Sequence, residues 1–456
     1  MAYQSINPYD GKLMQSFDEL DDSALQTRLG VASQCYTADW RLRTFADRAA
    51  IIKRAASLMR ERSPALAELI TLEMGKLIAQ SQGEVALSAA ILDYYADHAE
   101  QFLAPQKIDT PTGEAVVESS PIGVLFGVEP WNYPYYQIAR FAAPNLMAGN
   151  VVMVKHASNV PQCALAFEQL LRDAGAPAGA YTNLFVSKDQ VATIIADERI
   201  RAVALTGSEA AGAVVAAQAG KQLKKSTMEL GGSDAFIVLE DADLEKAVKY
   251  AVKGRMGNSG QACTASKRFI VVEPLADAFL EKFKAALDTF KPGNPMELQT
   301  SLGPLSSEQA LQKLLGQLDE AVNAGATVLL GGQRIAGHAG AFMQPTILCD
   351  ISHSNPAYRQ EFFGPVALFF RVADEAAAVA LANDSPFGLG GSVFTRDIER
   401  GKCVARKIDT GMVFINSNAV SSPELPFGGV KNSGYGRELS GAGIQEFVNK
   451  KLIRVS

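Results

Sequence analysis

Three short stretches of this chain hold side chains that could share one reaction. Cys263 closes the run Gly257-Asn258-Ser259-Gly260-Gln261-Ala262-Cys263. Small neighbours let a carbonyl carbon approach the sulfur and leave backbone N–H groups free. A lone cysteine is more often a buried apolar filler, and thiolate chemistry depends on surroundings that spacing does not show. Glu229 stands between Met228 and Leu230 and is followed by Gly231-Gly232. Burial there would raise its pKa towards neutrality, as a general base requires. The plain alternative is a glutamate at a strand end before a turn. Asn132 lies in Pro130-Trp131-Asn132-Tyr133-Pro134, where two prolines restrict the backbone around an amide able to donate to a developing oxyanion. Its plain alternative is a turn asparagine.

The elements that would position these residues follow from apolar patterning. From Thr44 to Gln101 the pattern is helical, with Ala49, Ile52, Ala56 and Met59 on one face. Beyond Val117, short apolar runs alternate with helical stretches. Strands are expected at Val151–Val154, Asn183–Val186, Ala202–Leu205, Phe236–Leu239 and Arg268–Val272. Helices are expected at 135–146, Pro161–Asp173, from Glu209, at 241–256 and at 275–290. Later strands are expected at Thr327–Leu330, Val366–Phe370, Ser392–Phe394 and Met412–Ile415. Such alternation predicts parallel sheets covered by helices. The stretches Ile108–Ser120 and Phe447–Ser456 are β-prone and polar, fit to pair with another subunit because exposed edges need cover.

At 456 residues the chain exceeds what one hydrophobic core supports, so two or more domains are expected. It is 48% hydrophobic and 20% charged, as in an ordinary α/β enzyme. A formal charge of −6 and no basic tract argue against a nucleic-acid or anionic-membrane partner. Neither a signal peptide nor an unbroken apolar run of about 18 residues is visible. The five cysteines include no CxxC pair and the four histidines no HxxxH pair. A disulfide framework and a metal centre are therefore not expected, and a cytoplasmic location is.

The three motifs, in this order, resemble the aldehyde dehydrogenase superfamily along essentially the whole chain. Further matches are Asn7-Pro8, Leu72-Glu73-Met74-Gly75-Lys76, Ala148-Gly149-Asn150 leading to Lys155, and Leu205-Thr206-Gly207-Ser208. Glu361-Phe362-Phe363-Gly364-Pro365, Pro426-Phe427-Gly428-Gly429 and Ser433-Gly434-Tyr435-Gly436-Arg437-Glu438 complete the set. The resemblance implies an α/β fold: a Rossmann-variant cofactor domain (1–105 and 121–229), an α/β catalytic domain (230–430), and a small β oligomerisation element (106–120 and 431–456). It implies that Cys263 attacks an aldehyde, Asn132 holds the oxyanion, and Glu229 activates the water that hydrolyses the thioester. It implies NAD or NADP as cofactor: Lys155 at the adenosine ribose, Gly207, Ser208 and Gly212 at the pyrophosphate turn, Glu361 at the nicotinamide ribose. Phe363, Trp131 and Leu230 are expected around the nicotinamide, and the enzyme is expected as a homodimer or homotetramer.

The lysine is followed here by His156-Ala157-Ser158, where the family commonly has a proline next and a glutamate three positions on. A glutamate would repel the 2′-phosphate of NADP; Ser158 removes that repulsion. Arg140 lies eight residues after Asn132, so that Asn132, Tyr136 and Arg140 share a helical face. This placement, with Ser421, resembles succinate-semialdehyde dehydrogenases, where the arginine grips the far carboxylate. The alternatives are an arginine in a surface ion pair and a different small aldehyde, such as glutarate semialdehyde. A second arginine common in those enzymes is replaced by Gly257; Arg255 could substitute only with a differently shaped helix end. Glu229 argues against a CoA-acylating relative.

Overall fold

Apolar β-branched runs separated by amphipathic stretches do fold as helix-covered parallel sheets in the computed structural model, which describes residues 3–455. The first sheet runs, edge to edge, Gly434–Tyr435, Lys225–Glu229, Ile200–Thr206, Val124–Glu129, Val151–His156 and Tyr181–Asn183. Its pairings are parallel except at the Gly434–Tyr435 edge. The second runs Thr327–Leu330, Thr346–Cys349, Val366–Val372, Ser266–Val272, Asp234–Val238, Gly391–Phe394 and Phe414–Ile415, antiparallel only at its Thr327–Leu330 edge. Along its Asp234–Val238 strand the side chains alternate between two cores. Ala235 and Ile237 join one and Phe236 and Val238 the other, which explains an unbroken apolar run: both faces are covered.

Most expected elements appear with ends displaced by a few residues. The long helical stretch resolves into Phe45–Glu61, Ser63–Met74 and Ile78–Phe102, with Gly75 in a left-handed cap at the second break. The strand expected at 183–186 is instead Tyr181–Asn183, because its partners are Val152 to Val154. A hairpin of Tyr3–Ile6 and Leu13–Phe17 was not legible in the pattern. The two polar β-prone stretches pair with each other within the chain. Val448–Val455 lies antiparallel along Glu114–Pro121, which Gln106–Ile108 flanks on its other side; Ser456 lies outside the described residues.

The register places Thr206 opposite Glu229 at the carboxyl ends of neighbouring strands. Asn132 follows directly from the Val124–Glu129 strand beside them. The carboxyl ends of such strands are where open α/β sheets bind ligands. Cys263 approaches from the second sheet, in the loop entering Ser266–Val272. The candidate site therefore lies between the two sheets.

Candidate active site

The turn that presents Cys263 is tightly wound. The Leu244–Met256 helix gives way to Asn258 and Ser259, both in the left-handed region at φ 53° and 52°, then Gly260 at φ 78°. Non-glycine residues rarely adopt this region, and strained backbone of this kind collects at functional sites. A side chain at residue 260 would run into the Gly364 carbonyl, so the glycine is a packing requirement as well. Buried Lys267 draws the following residues in, donating to the carbonyls of Ala262 (3.0 Å) and Cys263 (2.7 Å) while pairing with Glu361 at 3.0 Å. Burial pushes the Cys263 thiol up to about 11, with the Arg140 and Lys267 cations pulling it down.

Cys263 opens on a cavity of about 710 Å³ whose wall also includes Trp131, Asn132, Thr206, Gly207, Ser208, Leu230, Glu361 and Phe363. Asn132 is buried and its Nδ2 donates to the Gln261 carbonyl at 3.1 Å, two residues before the sulfur. One amide hydrogen is thereby fixed on the nucleophile loop. The other remains for a ligand oxygen. Ser208 caps the Glu209–Lys221 helix, so this wall presents a helix N-terminus, a favourable place for an anion. Trp131 and Phe363 meet edge to face at 5.8 Å. Glu361 accepts the Gly232 amide on Oε1 at 3.1 Å, which fixes its carboxylate at the wall. A dinucleotide fits this donor set: an anion-favouring helix end, a fixed carboxylate for ribose hydroxyls, and aromatic faces near the sulfur.

Several expected residues lie elsewhere. Gly212 is not in the cavity wall; Leu230 packs onto it, within 2.5 Å of where a Cβ would stand, so a side chain there would displace Leu230. Lys155 is away from this cavity too, its Nζ 5.4 Å from the Tyr3 ring centroid and its pKa lowered by burial, opposed by nearby Glu19. Ser158 is exposed just past the Val151–His156 strand, its carbonyl accepting from Gln4. Arg255 is fully buried and donates to the carbonyls of Gly260 (2.6 Å) and Val366 (3.2 Å), bracing the turn.

Glu229 is buried 3% exposed, both carboxylate oxygens lack a hydrogen-bond partner, and it lies against Gly428 behind the cavity wall. Burial, with Glu438 nearby, holds its carboxyl well above the usual range, against the pull of Arg140 and Arg437. Arg140 is not in a surface ion pair. It is buried, and its Nε pairs with Glu438, a residue whose partner no sequence spacing indicated. Its other nitrogens donate to Tyr136 Oη (3.3 Å) and Thr206 Oγ1 (3.2 Å), and Tyr136 in turn donates to Ser421 Oγ at 3.0 Å. Tyr136 and Arg140 share a face of Pro134–Ala148 as expected, whereas Asn132 precedes that helix. Glu129 completes the group: buried, unpartnered at both oxygens, and raised by burial and by Glu438. A charged residue ending the apolar strand Val124–Val128 was the one available signal for it.

A family model described as the aldehyde dehydrogenase family matches residues 1–453. The succinate-semialdehyde dehydrogenase [NADP(+)] of Deinococcus radiodurans is 52% identical over 99% of this chain and 94% of its own length. A crystal structure of succinic semialdehyde dehydrogenase from Streptococcus pyogenes, in complex with NADP+, is 47% identical, with a TM-score of 0.98 and all of both chains covered. The solved structure of Gox0499 is 55% identical, with a TM-score of 0.99 and the same coverage.

Proposed function

This chain belongs to the aldehyde dehydrogenase family, and we propose that it oxidises succinate semialdehyde to succinate with NADP. The observation that carries the substrate is the hydrogen-bonded chain Arg140–Tyr136–Ser421 beside the Cys263 cavity. Ser421 accepts from Tyr136, so its own proton is free for a carboxylate, and Arg140 supplies the positive charge behind both. We assign the wall residues to the cofactor. Ser208 with Gly207 would hold the pyrophosphate, Glu361 a ribose, and Trp131, Leu230 and Phe363 the nicotinamide, with Lys155 and Ser158 at the adenosine end. When bound, the nicotinamide accepts the hydride.

Cys263, as thiolate, attacks the aldehyde carbon, and the oxygen becomes an alkoxide held by the Asn132 amide and the Cys263 backbone N–H. Loss of hydride from this thiohemiacetal leaves a thioester on Cys263. Glu229 then turns toward the cavity and takes a proton from water, whose oxygen attacks the thioester carbonyl. The same donors hold the second oxyanion, and Cys263 leaves as thiolate. Burial raises the Glu229 carboxyl, which makes its carboxylate a stronger base than one in water.

We divide the chain into a cofactor-binding part (1–105 and 121–229), a catalytic part (230–430) and a bridging part (106–120 and 431–456); most strands of the six-, seven- and three-stranded sheets lie within these parts, with Gly434–Tyr435 crossing to the first sheet. The Val448–Val455 edge strand exposes Leu452 (59%) and Val455 (62%), which supports a homodimer or homotetramer joined there. No helix among the described residues is long and apolar enough to cross a membrane, and we place the enzyme in the cytoplasm. The test is steady-state oxidation of succinate semialdehyde, glutarate semialdehyde and butanal with NADP and with NAD. Succinate semialdehyde with NADP should give the highest kcat/KM. A higher value for glutarate semialdehyde would move the substrate one methylene along, and butanal performing equally would remove the carboxylate site.

A further inference from the structure

Lys76, in the Leu72-Glu73-Met74-Gly75-Lys76 run, takes no part in the chemistry above, yet it pairs with Glu84 where both side chains are 1% exposed. Taking an ammonium and a carboxylate out of water is costly, and an apolar pair of similar volume is often as stable or more so. What distinguishes this pair is where its other bonds go. Lys76 Nζ donates to the Asn132 carbonyl at 2.8 Å and sits 3.6 Å from the Tyr133 ring centroid. Glu84 Oε1 accepts the backbone amides of Tyr135 (2.9 Å) and Tyr136 (3.2 Å). The Pro134–Ala148 helix begins without a cap of its own, since Tyr133 makes no capping side-chain bond. Glu84, from the neighbouring Ile78–Phe102 helix, supplies that cap, a favourable place for a carboxylate. A second donor, Asn258 Nδ2 of the nucleophile turn, meets the same Asn132 carbonyl at 3.0 Å. The peptide carrying Asn132 is thus gripped at its carbonyl and again at the amides three and four residues on. Neither Lys76 nor Glu84 lines the cavity.

We infer that the Lys76–Glu84 pair is a positioning device for the Asn132 amide, setting its aim at the oxyanion over Cys263. The inference rests on Asn132 being the oxyanion donor. An oxyanion donor acts by being aimed before the charge develops, and losing one costs about 10²- to 10³-fold in rate. Releasing its backbone should forfeit part of that.

The test is a double-mutant cycle on single-turnover hydride transfer, enzyme in excess, for wild type, Lys76→Met, Asn132→Ala and the double variant. NADP affinity is read alongside by intrinsic fluorescence. Lys76→Met should slow hydride transfer about 10- to 100-fold with NADP affinity within about twofold, and should add less than about threefold once Asn132 is alanine. The same fold-loss in both backgrounds, or an equal loss of NADP affinity, would overturn the inference, since a merely structural pair acts independently of the Asn132 side chain. A normal rate in Asn132→Ala alone would instead remove the underlying assignment of Asn132. Glu84→Gln, which keeps an acceptor for the two amides, runs through the same cycle if Lys76→Met does not fold. Failure of both to fold would make the pair a folding determinant and overturn the proposal.

Discussion

Lys76 and Glu84 at the start of the Pro134–Ala148 helix, and Arg140 and Glu438 further along it, are both ion pairs withdrawn from water. The first is one cation and one anion, each also bonded to backbone that has one fixed place. The second is one buried cation among three buried carboxylates, Glu438, Glu129 and Glu229, the latter two unpartnered at both oxygens. Arg140, even with Arg437 near Glu229, is outnumbered by these three carboxyls, so burial and their mutual repulsion keep them raised. A balanced, fully bonded pair fixes geometry. An unbalanced, under-bonded cluster is where protons and a substrate charge can be exchanged.

The largest effect should come from removing the group that both regions serve. Cys263→Ala is expected to cut oxidation by on the order of 10⁴-fold or more, with NADP affinity by fluorescence titration within about twofold. Substantial residual turnover would move the chemistry to another cysteine and make the comparison irrelevant. Next, Arg140→Met leaves Glu438 buried without its counter-charge, which costs about 3–5 kcal/mol and should lower Tm clearly. The same variant should lose the preference for succinate semialdehyde over butanal, about 10- to 150-fold in kcat/KM from a charge-assisted bond of roughly 1.5–3 kcal/mol. Adding Glu438→Gln should recover much of the Tm and none of the preference. Recovery of both would make Arg140 structural, like Lys76. The smallest effect is expected at the exposed adenosine end. Ser158→Glu sets a like charge near a 2′-phosphate in water-like surroundings, worth about 1 kcal/mol at about 4 Å, or roughly fivefold in NADP affinity with NAD spared. Equal losses for both cofactors would place Ser158 away from the ribose.

The two regions also differ in how legible they were. Cys263, Asn132 and the cavity residues Ser208, Glu361 and Phe363 stand in short motifs whose chemistry is local, and the fold assembled them on one cavity. The alternation of apolar runs and helical stretches was enough for both parallel sheets, because buried strands advertise themselves as unbroken apolar segments. Long-range partners were not legible. Arg140 and Glu438 are far apart in the chain, as are Lys76 and Asn132, and a lone charged residue gives no sign of which distant residue will neutralise it. The contact between Gly212 and Leu230 was not legible either, since Leu230 arrives just past the next strand. The polar edge strands were recognised as strands, but not as each other's partner, since cross-strand register is set in three dimensions.

In the proposed mechanism Cys263 carries the four-carbon acyl group as a thioester, and Glu229, from the raised cluster behind it, is needed to hydrolyse it. Incubating Glu229→Gln with succinate semialdehyde and NADP, quenching in acid and mapping peptides by mass spectrometry tests it most directly. We expect one burst of NADPH, slow turnover afterwards, and a succinyl adduct confined to the peptide containing Cys263. An unmodified Cys263 with undiminished steady-state turnover, or an adduct on Cys35, Cys163, Cys349 or Cys403 instead, would contradict it.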